Sequence, residues 1–305
     1  MRADSVSHPQ GPALASSTGM GPVHLSVSSA RSSIEFYRQV VGLEVLNSAA
    51  DHISLGAGER ELIVLYPGAD CPVPSGRTGL YHLALVLPSQ RELARAIKRF
   101  AQIGYPNSPT DHVMTKSDYL WDPDGNGLEL YAETPEDGTW FMTDEEFGAR
   151  DASGRPRSGR DPIHLGQLFQ ELQPEDDIEA PLPAGTKMGH IHLHVRDVEE
   201  AVGFYRDIIG FELMGLSRRF RVAFVAAGGY HHHVGLNTWA GMDAPPPPAS
   251  SCGLRHFTIE VPGGRDLLEV SQRLEGAGYP LLAQSEQTLF LADPSSNRLQ
   301  VISRR

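Results

Sequence analysis

The sequence predicts an α+β fold of four βαβββ units, arranged as two pseudo-repeated halves whose sheets curl into metal-site cups. Three observations predict it. At a constant offset of 168, Phe36-Tyr37-Arg38 returns as Phe204-Tyr205-Arg206 and Gly42-Leu43-Glu44 as Gly210-Phe211-Glu212. The second quarter returns in the fourth, Gly104-Tyr105-Pro106 as Gly278-Tyr279-Pro280 and Asp122-Pro123 as Asp293-Pro294. Each quarter also reads as one strand, one helix and further short strands divided by turn residues.

Taken in order, residues 1–20 are rich in Ser, Pro, Ala and Gly and read as a disordered tail, without an apolar run long enough for a signal peptide or a membrane span. An N-terminal domain over 21–132 follows. Val23–Val27 reads as a strand, Ala30–Val41 as a helix that Gly42 ends, and Leu43–Leu46, His52–Leu55 and Glu61–Tyr66 as short strands. The second unit opens at Leu80–Val86, continues through a helix from about Gln90 to Ile103, and closes with Tyr119–Trp121, a turn over 122–126, and Leu128–Tyr131. Residues 133–187 break the periodicity, with one helix expected at Ile163–Leu172, and form a linker or arm. The C-terminal domain spans 188–305, with a stiff proline loop at Ala244–Ser251 between its units.

A composition of 40% hydrophobic and 21% charged residues is that of a globular chain, and the net charge of -12 argues against a nucleic-acid surface or attraction to an anionic membrane. Two cysteines, Cys71 and Cys252, are too few for a disulfide framework, which suits a cytoplasmic protein and leaves metal binding to histidine and carboxylate. A homo-oligomer is expected, with Trp121, Phe141 and the linker as candidate interface.

Chemistry concentrates at Gly189-His190-Ile191-His192-Leu193-His194-Val195, where three histidines alternate with aliphatic residues and so share one face of a strand. The repeats show which polar residues are unusual. His190 answers to Pro22, while His192 answers to His24; His82 answers to His256, but Glu129 answers to Gln300 and Tyr119 to Phe290. His232, within Tyr230-His231-His232-His233, answers to Val64. Units two and three therefore carry the polar set. His82, Glu129 and His190 supply two imidazoles and a carboxylate, the facial set that holds Fe(II) and leaves positions open. His82 and Glu129 meet only if their sheet curls, and His190 must come from a neighbouring unit. A rival set of His190, His256 and Gln300 lacks the carboxylate. His192 and His194 compete with His190 as ligand.

The histidine stretch, Phe-Tyr-Arg-Asp-Ile-Ile-Gly-Phe at 204–211, the 227–241 segment around the histidine triplet, and Asp-Pro-Asp-Gly-Asn-Gly-Leu-Glu-Leu-Tyr at 122–131 together resemble the vicinal oxygen chelate superfamily of glyoxalase I, bleomycin-resistance proteins and type I extradiol dioxygenases. Within it the chain looks most like the bacterial catechol 2,3-dioxygenases, over residues 21–303. The resemblance implies His82, Glu129 and His190 as ligands of Fe(II), or of Mn(II) in its place, and His232 as acid–base residue. It also implies Tyr119 and His112 as hydrogen-bond donors to metal-bound oxygen. Substrates would be a catecholic small molecule and O2. The unit order departs from the usual extradiol one, because the partner unit here comes first. A glyoxalase-type isomerase or lyase would want a fourth protein ligand, where the first unit offers only Ile63-Val64-Leu65. A metal-free binding protein would leave the His/Glu/Tyr set without a purpose.

Overall fold

The computed structural model describes residues 13–70 and 72–304; residues 1–12, Cys71 and Arg305 lie outside the described residues. Unit one comprises β1 (Gly19–Val27), α1 (Ala30–Glu35), β2 (Glu44–Ser48), β3 (Ile53–Ala57) and β4 (Arg60–Pro67). Unit two comprises β5 (Gly79–Val86), α2 (Gln90–Ile103), β6 (Ser108–Asp111), β7 (Thr115–Trp121) and β8 (Gly127–Glu133). Between the halves lie β9 (Gly138–Met142), β10 (Phe147–Asp151), β11 (Pro156–Arg157), β12 (Asp161–Pro162) and α3 (Leu165–Leu168). Unit three is β13 (Lys187–His194), α4 (Val198–Gly203), β14 (Glu212–Ser217), β15 (Val222–Ala226) and β16 (Val234–Asn237); unit four is β17 (Gly253–Val261), α5 (Gly264–Gly276), β18 (Ala283–Gln284), β19 (Thr288–Ala292) and β20 (Arg298–Ser303).

The sheets cross the halves. One sheet runs β18-β19-β20-β17-β1-β4-β3-β2 and joins units four and one; the other runs β12-β6-β7-β8-β5-β13-β16-β15-β14 and joins units two and three. In both, the opening strands meet antiparallel, β1 with β17 and β5 with β13. The repeated tyrosines tie units of the same half instead. Tyr37 Oη donates to Asp122 Oδ2 and Tyr205 Oη to Asp293 Oδ2, each at 3.1 Å. Each aspartate also accepts from two backbone N–H groups and from Asn126 or Asn297, so a buried carboxylate is satisfied by four donors. The Phe-Tyr-Arg and Asp-Pro repeats are thus one interlock, used twice.

Several expectations need correction. Residues 13–20 are not loose: Leu14 is buried, its N–H donates to the Gly210 carbonyl at 2.8 Å, and β1 already begins at Gly19. The helix expected over Ala30–Val41 is α1 followed by a π-helical turn at Phe36–Val41, because the N–H groups of both Gly42 and Leu43 reach the Tyr37 carbonyl; unit three repeats this at Phe204–Ile209. Gly42 and Gly210 close these turns at φ 94° and 104°, a conformation that favours glycine. The Ile163–Leu172 helix shrinks to α3 and a 3-10 turn at Phe169–Glu171. Finally, β6 supplies the third strand that the βαβββ pattern requires of unit two, at a position the sequence did not mark.

The linker is structured. Strands β9, β10 and β11 form a small antiparallel sheet, and β12 extends the second large sheet through Asp161 opposite Asp111. Its far end is held by arginines of α2: Arg95 donates to the carbonyls of Asp177, Ala180 and Pro181, and Arg99 to those of Ile178, Ala180 and Val41. Among the described residues, no helix is long and apolar enough to cross a membrane.

Candidate metal centre

The site is a row across the second sheet. Tyr119 pairs with Glu129 across β7 and β8, Glu129 with Ala84 across β8 and β5, and Ala84 with His190 across β5 and β13. Laterally paired residues share a face, and His82, two positions from Ala84, shares it too. Ala84 is the small centre of this row, which leaves the three polar side chains room to converge over it. His82 Nε2 and His190 Nε2 lie 3.2 Å apart, and Glu129 Oε2 lies 3.2 Å from the first and 3.1 Å from the second. All three side chains are buried.

That spacing suits a metal ion. Donors on adjacent corners of an octahedron with bonds of about 2.1 Å sit about 3.0 Å apart and those of a tetrahedron about 3.4 Å apart, and the separations here, 3.1 and 3.2 Å, lie between the two. The protonation states also suit it. Burial opposes ionisation of Glu129, but the facing His190 and His82 outweigh it and hold the carboxyl well below its usual range; burial keeps His190 neutral. The neutral His190 imidazole, the Glu129 carboxylate and the His82 imidazole therefore face one point. A second cluster overlaps it: His190, His231 and His232 also bring ring nitrogens together.

The other expected residues surround this centre. His232 stacks on Phe224 with ring centroids 4.4 Å apart and lies 4.1 Å from the His190 ring; burial holds it well below its ordinary value. The segment from Tyr230 to His233 precedes β16 and is not a strand, so its histidines do not alternate between faces: His231 and His232 both line the cavity, while His233 turns inward and accepts from the Ala227 N–H at 3.2 Å. His112 follows β6. Its Nδ1 donates to the Gly159 carbonyl at 2.5 Å, since a carbonyl only accepts, which leaves Nε2 to accept from Tyr119 Oη at 2.9 Å. Tyr119 is held far above its usual range by burial and by the Glu129 charge, so it stays a donor. Val113, next to His112, has φ 72°, strained for a β-branched residue. Asp111, Thr134 and Lys116 bind its backbone N–H and carbonyl and hold it there.

His192 and His194 take other parts. His192 faces His82 across the sheet, is buried, and has an Nε2 with no hydrogen-bond partner; His194 Nδ1 lies 2.8 Å from Asn237 Oδ1. The rival set is dispersed, because His256 and Gln300 belong to the first sheet and His190 to the second. There the equivalent row reads Phe290, Gln300 and Thr258, and His24 stacks on His256 at 3.8 Å. Ala84 and the arm were missed. A small residue in a strand carries no signal until its neighbours are known. The arm supplies Trp140, Phe147 and Arg160 to a cavity of about 410 Å³ above the donors, whose other walls include Met114, Leu120 and Trp239.

The fold and site define a pair of curled βαβββ sheets, one of which presents a two-histidine, one-carboxylate set at the floor of a cavity. The chain belongs to the glyoxalase/bleomycin resistance protein/dioxygenase superfamily, whose family model matches residues 19–130 and 187–301. It is 38% identical over 282 residues to the catechol-2,3-dioxygenase of Bacillus subtilis (strain 168), covering 92% of this chain and 95% of that one. It is 29% identical over 153 residues to biphenyl-2,3-diol 1,2-dioxygenase 3 of Rhodococcus globerulus, covering 47% of this chain and 78% of that one. Glyoxalase I from Zea mays shares the fold, with a TM-score of 0.52 at 16% identity over 94% of this chain and 92% of that structure. A fold shared with an enzyme of another name leaves the reaction to be argued from the site.

Proposed function

We propose that the chain is an Fe(II)-dependent extradiol dioxygenase that opens a catechol-type ring with O2. The observation that carries this reading is the convergence of His82, Glu129 and His190 within 3.2 Å of one another on a cavity floor. The likeness to a catechol-2,3-dioxygenase over nearly the whole chain supports it. A bound Fe(II) would hold the vicinal oxygens of the diol beside O2 and pass electrons between them.

The remaining steps fall to side chains. His232, neutral and half-buried, accepts a proton from a diol hydroxyl and later returns it. The single phenol proton of Tyr119 has two acceptors, Glu129 and His112 Nε2. Rotation of the hydroxyl away from these acceptors would aim its proton at charge developing on an oxygen in the cavity. His192 Nε2 is an unused polar atom that a substrate oxygen can satisfy. Apolar walls exclude water from a reactive product.

The test is anaerobic reconstitution with Fe(II), measurement of bound metal, then oxygen uptake and yellow product with catechol and 3-methylcatechol. Glu129→Ala is expected to lose metal and activity, and Gln300→Ala to keep both. Oxygen uptake absent with every diol in the metal-loaded protein would overturn the reading. The overlapping His190, His231 and His232 cluster favours a different seat for the metal: retention of iron in Glu129→Ala with loss in His231→Ala would place it there.

A further inference from the structure

We propose that the arm makes this site selective for catechols whose ring carries a side chain ending in a carboxylate, with Arg160 as the residue that receives it. The inference rests on the diol-cleaving reading for the position of the ring alone. The cavity is larger than a bare diol needs, and its volume of about 410 Å³ falls in the range of sites that enclose ligands of several functional groups. Its far side is apolar. From His232, the wall continues through Phe224 to Trp140 and Phe147 of the arm, with centroids 5.5 and 5.9 Å from the Phe224 ring. An alkyl or aryl extension of the ring has a surface to lie on.

Arg160 stands at the end of that wall. It is the one lysine or arginine among the described residues that line the cavity, where Glu129 is the one acid. Its guanidinium lies over the Phe147 ring, 4.9 Å from the centroid. The neighbouring Arg155 and Arg157 are paired with Asp151 and Asp161 at 3.0 and 2.9 Å, but Arg160 forms no ion pair with an acid among the described residues. The backbone that carries it is fixed on both sides. The Gly159 carbonyl is held by His112, the Arg160 N–H donates to Ser158 Oγ at 3.0 Å, Ser158 Oγ donates to Asp161 Oδ1 at 2.7 Å, and Asp161 is in register with Asp111. A cation preorganised at a cavity edge, without an acidic partner among the described residues in a chain of net charge -12, fits an anionic group brought by the ligand. The Tyr81, Trp121 and Trp239 side of the cavity offers no cation, so the charge would set the direction in which the ring enters.

Calorimetric titration under nitrogen decides this, with 3-(3,4-dihydroxyphenyl)propanoate and its methyl ester as probes. The two share ring and chain and differ in charge, so binding is read without turnover. The whole protein is expected to bind the acid about tenfold more tightly than the ester, a modest factor because Arg160 is solvent-exposed. Arg160→Gln should bring that ratio near one, Arg160→Lys should keep part of it, and 0.5 M NaCl should narrow it in the unsubstituted protein. A ratio of one in the unsubstituted protein, a ratio that survives Arg160→Gln, or failure of both probes to bind would each overturn the proposal. Cleavage of catechol alongside a ratio of one would sink this inference and leave the reaction standing. Selective binding of the acid without cleavage of any diol would do the reverse.

Discussion

Ala84 makes room for the donor set. It sits between Glu129 and His190 in register and two residues from His82, so its methyl group is the floor over which three side chains close. Ala84→Leu should push the donors apart, and metal content after reconstitution should fall at least tenfold while the far-ultraviolet circular dichroism stays that of the unsubstituted protein. Gly235 plays a comparable part for His192, since a Cβ there would meet that imidazole at 2.8 Å. Glu129→Gln keeps the shape and removes the charge; a neutral amide is a poor partner for a hard divalent cation, and iron retention should drop by more than tenfold. Glu129 and His190 were legible because the repeats place each beside a counterpart that lacks it, Gln300 and Pro22, whereas His82, which answers to His256, was legible through its sharing a unit with Glu129. Ala84 was not, because its role is a volume left empty.

At the scale of elements, the interlock and the arm make separate predictions. Tyr37→Phe leaves Asp122 one donor short in a buried site and should lower stability by about 1–2 kcal/mol in urea titration. The same change at Tyr205 should cost a similar amount, since the geometry repeats. Arg95 and Arg99 fix the returning end of the arm through carbonyl groups; replacing Arg99 with Met removes its donors to the Ile178, Ala180 and Val41 carbonyls, of which Ala180 keeps Arg95, and should speed proteolysis within 173–182 before global unfolding. The helices and most strands could be read from periodicity. The arm could not, because strands as short as β11 and β12 carry too few residues for a pattern, and β12 pairs with the distant β6, Asp161 opposite Asp111.

The whole molecule is bound together twice, in different senses. Sheets join units two to three and four to one, while Tyr–Asp bonds join one to two and three to four. A half expressed alone would leave the β1 and β5 edges unpaired, so residues 1–132 should associate or aggregate in light scattering, and co-expression with the remainder should restore a soluble complex. Stability should also depend on pH. Burial lowers His24 to about 3, and His233 and His256 to about 4, well under the ordinary 6.5. The unfolded chain then binds more protons, so this contribution is complete above pH 6.5 and is lost as pH falls toward 4. Burial raises Asp118 to about 7 and Asp293 to about 6, which works the other way between 3.8 and those values. Because buried, lowered histidines outnumber the raised carboxylates, the melting temperature should be lower at pH 5 than at pH 7.5.

By itself the sequence determined the four-unit repeat, the ends of most elements and the residue types that could bind a metal, because periodicity, turn residues and internal comparison are local properties of a chain. Only the tertiary structure decided that β5 lies against β13 and β1 against β17. That pairing brings His190 to His82 and Glu129 and separates it from His256 and Gln300. It also decided that 138–162 covers the cavity, that His112 spends its Nδ1 proton on Gly159, and that Arg160 faces the cavity. These are contacts between residues tens to more than a hundred positions apart, and the edges of four similar units are alike enough that chain order alone does not choose among their pairings.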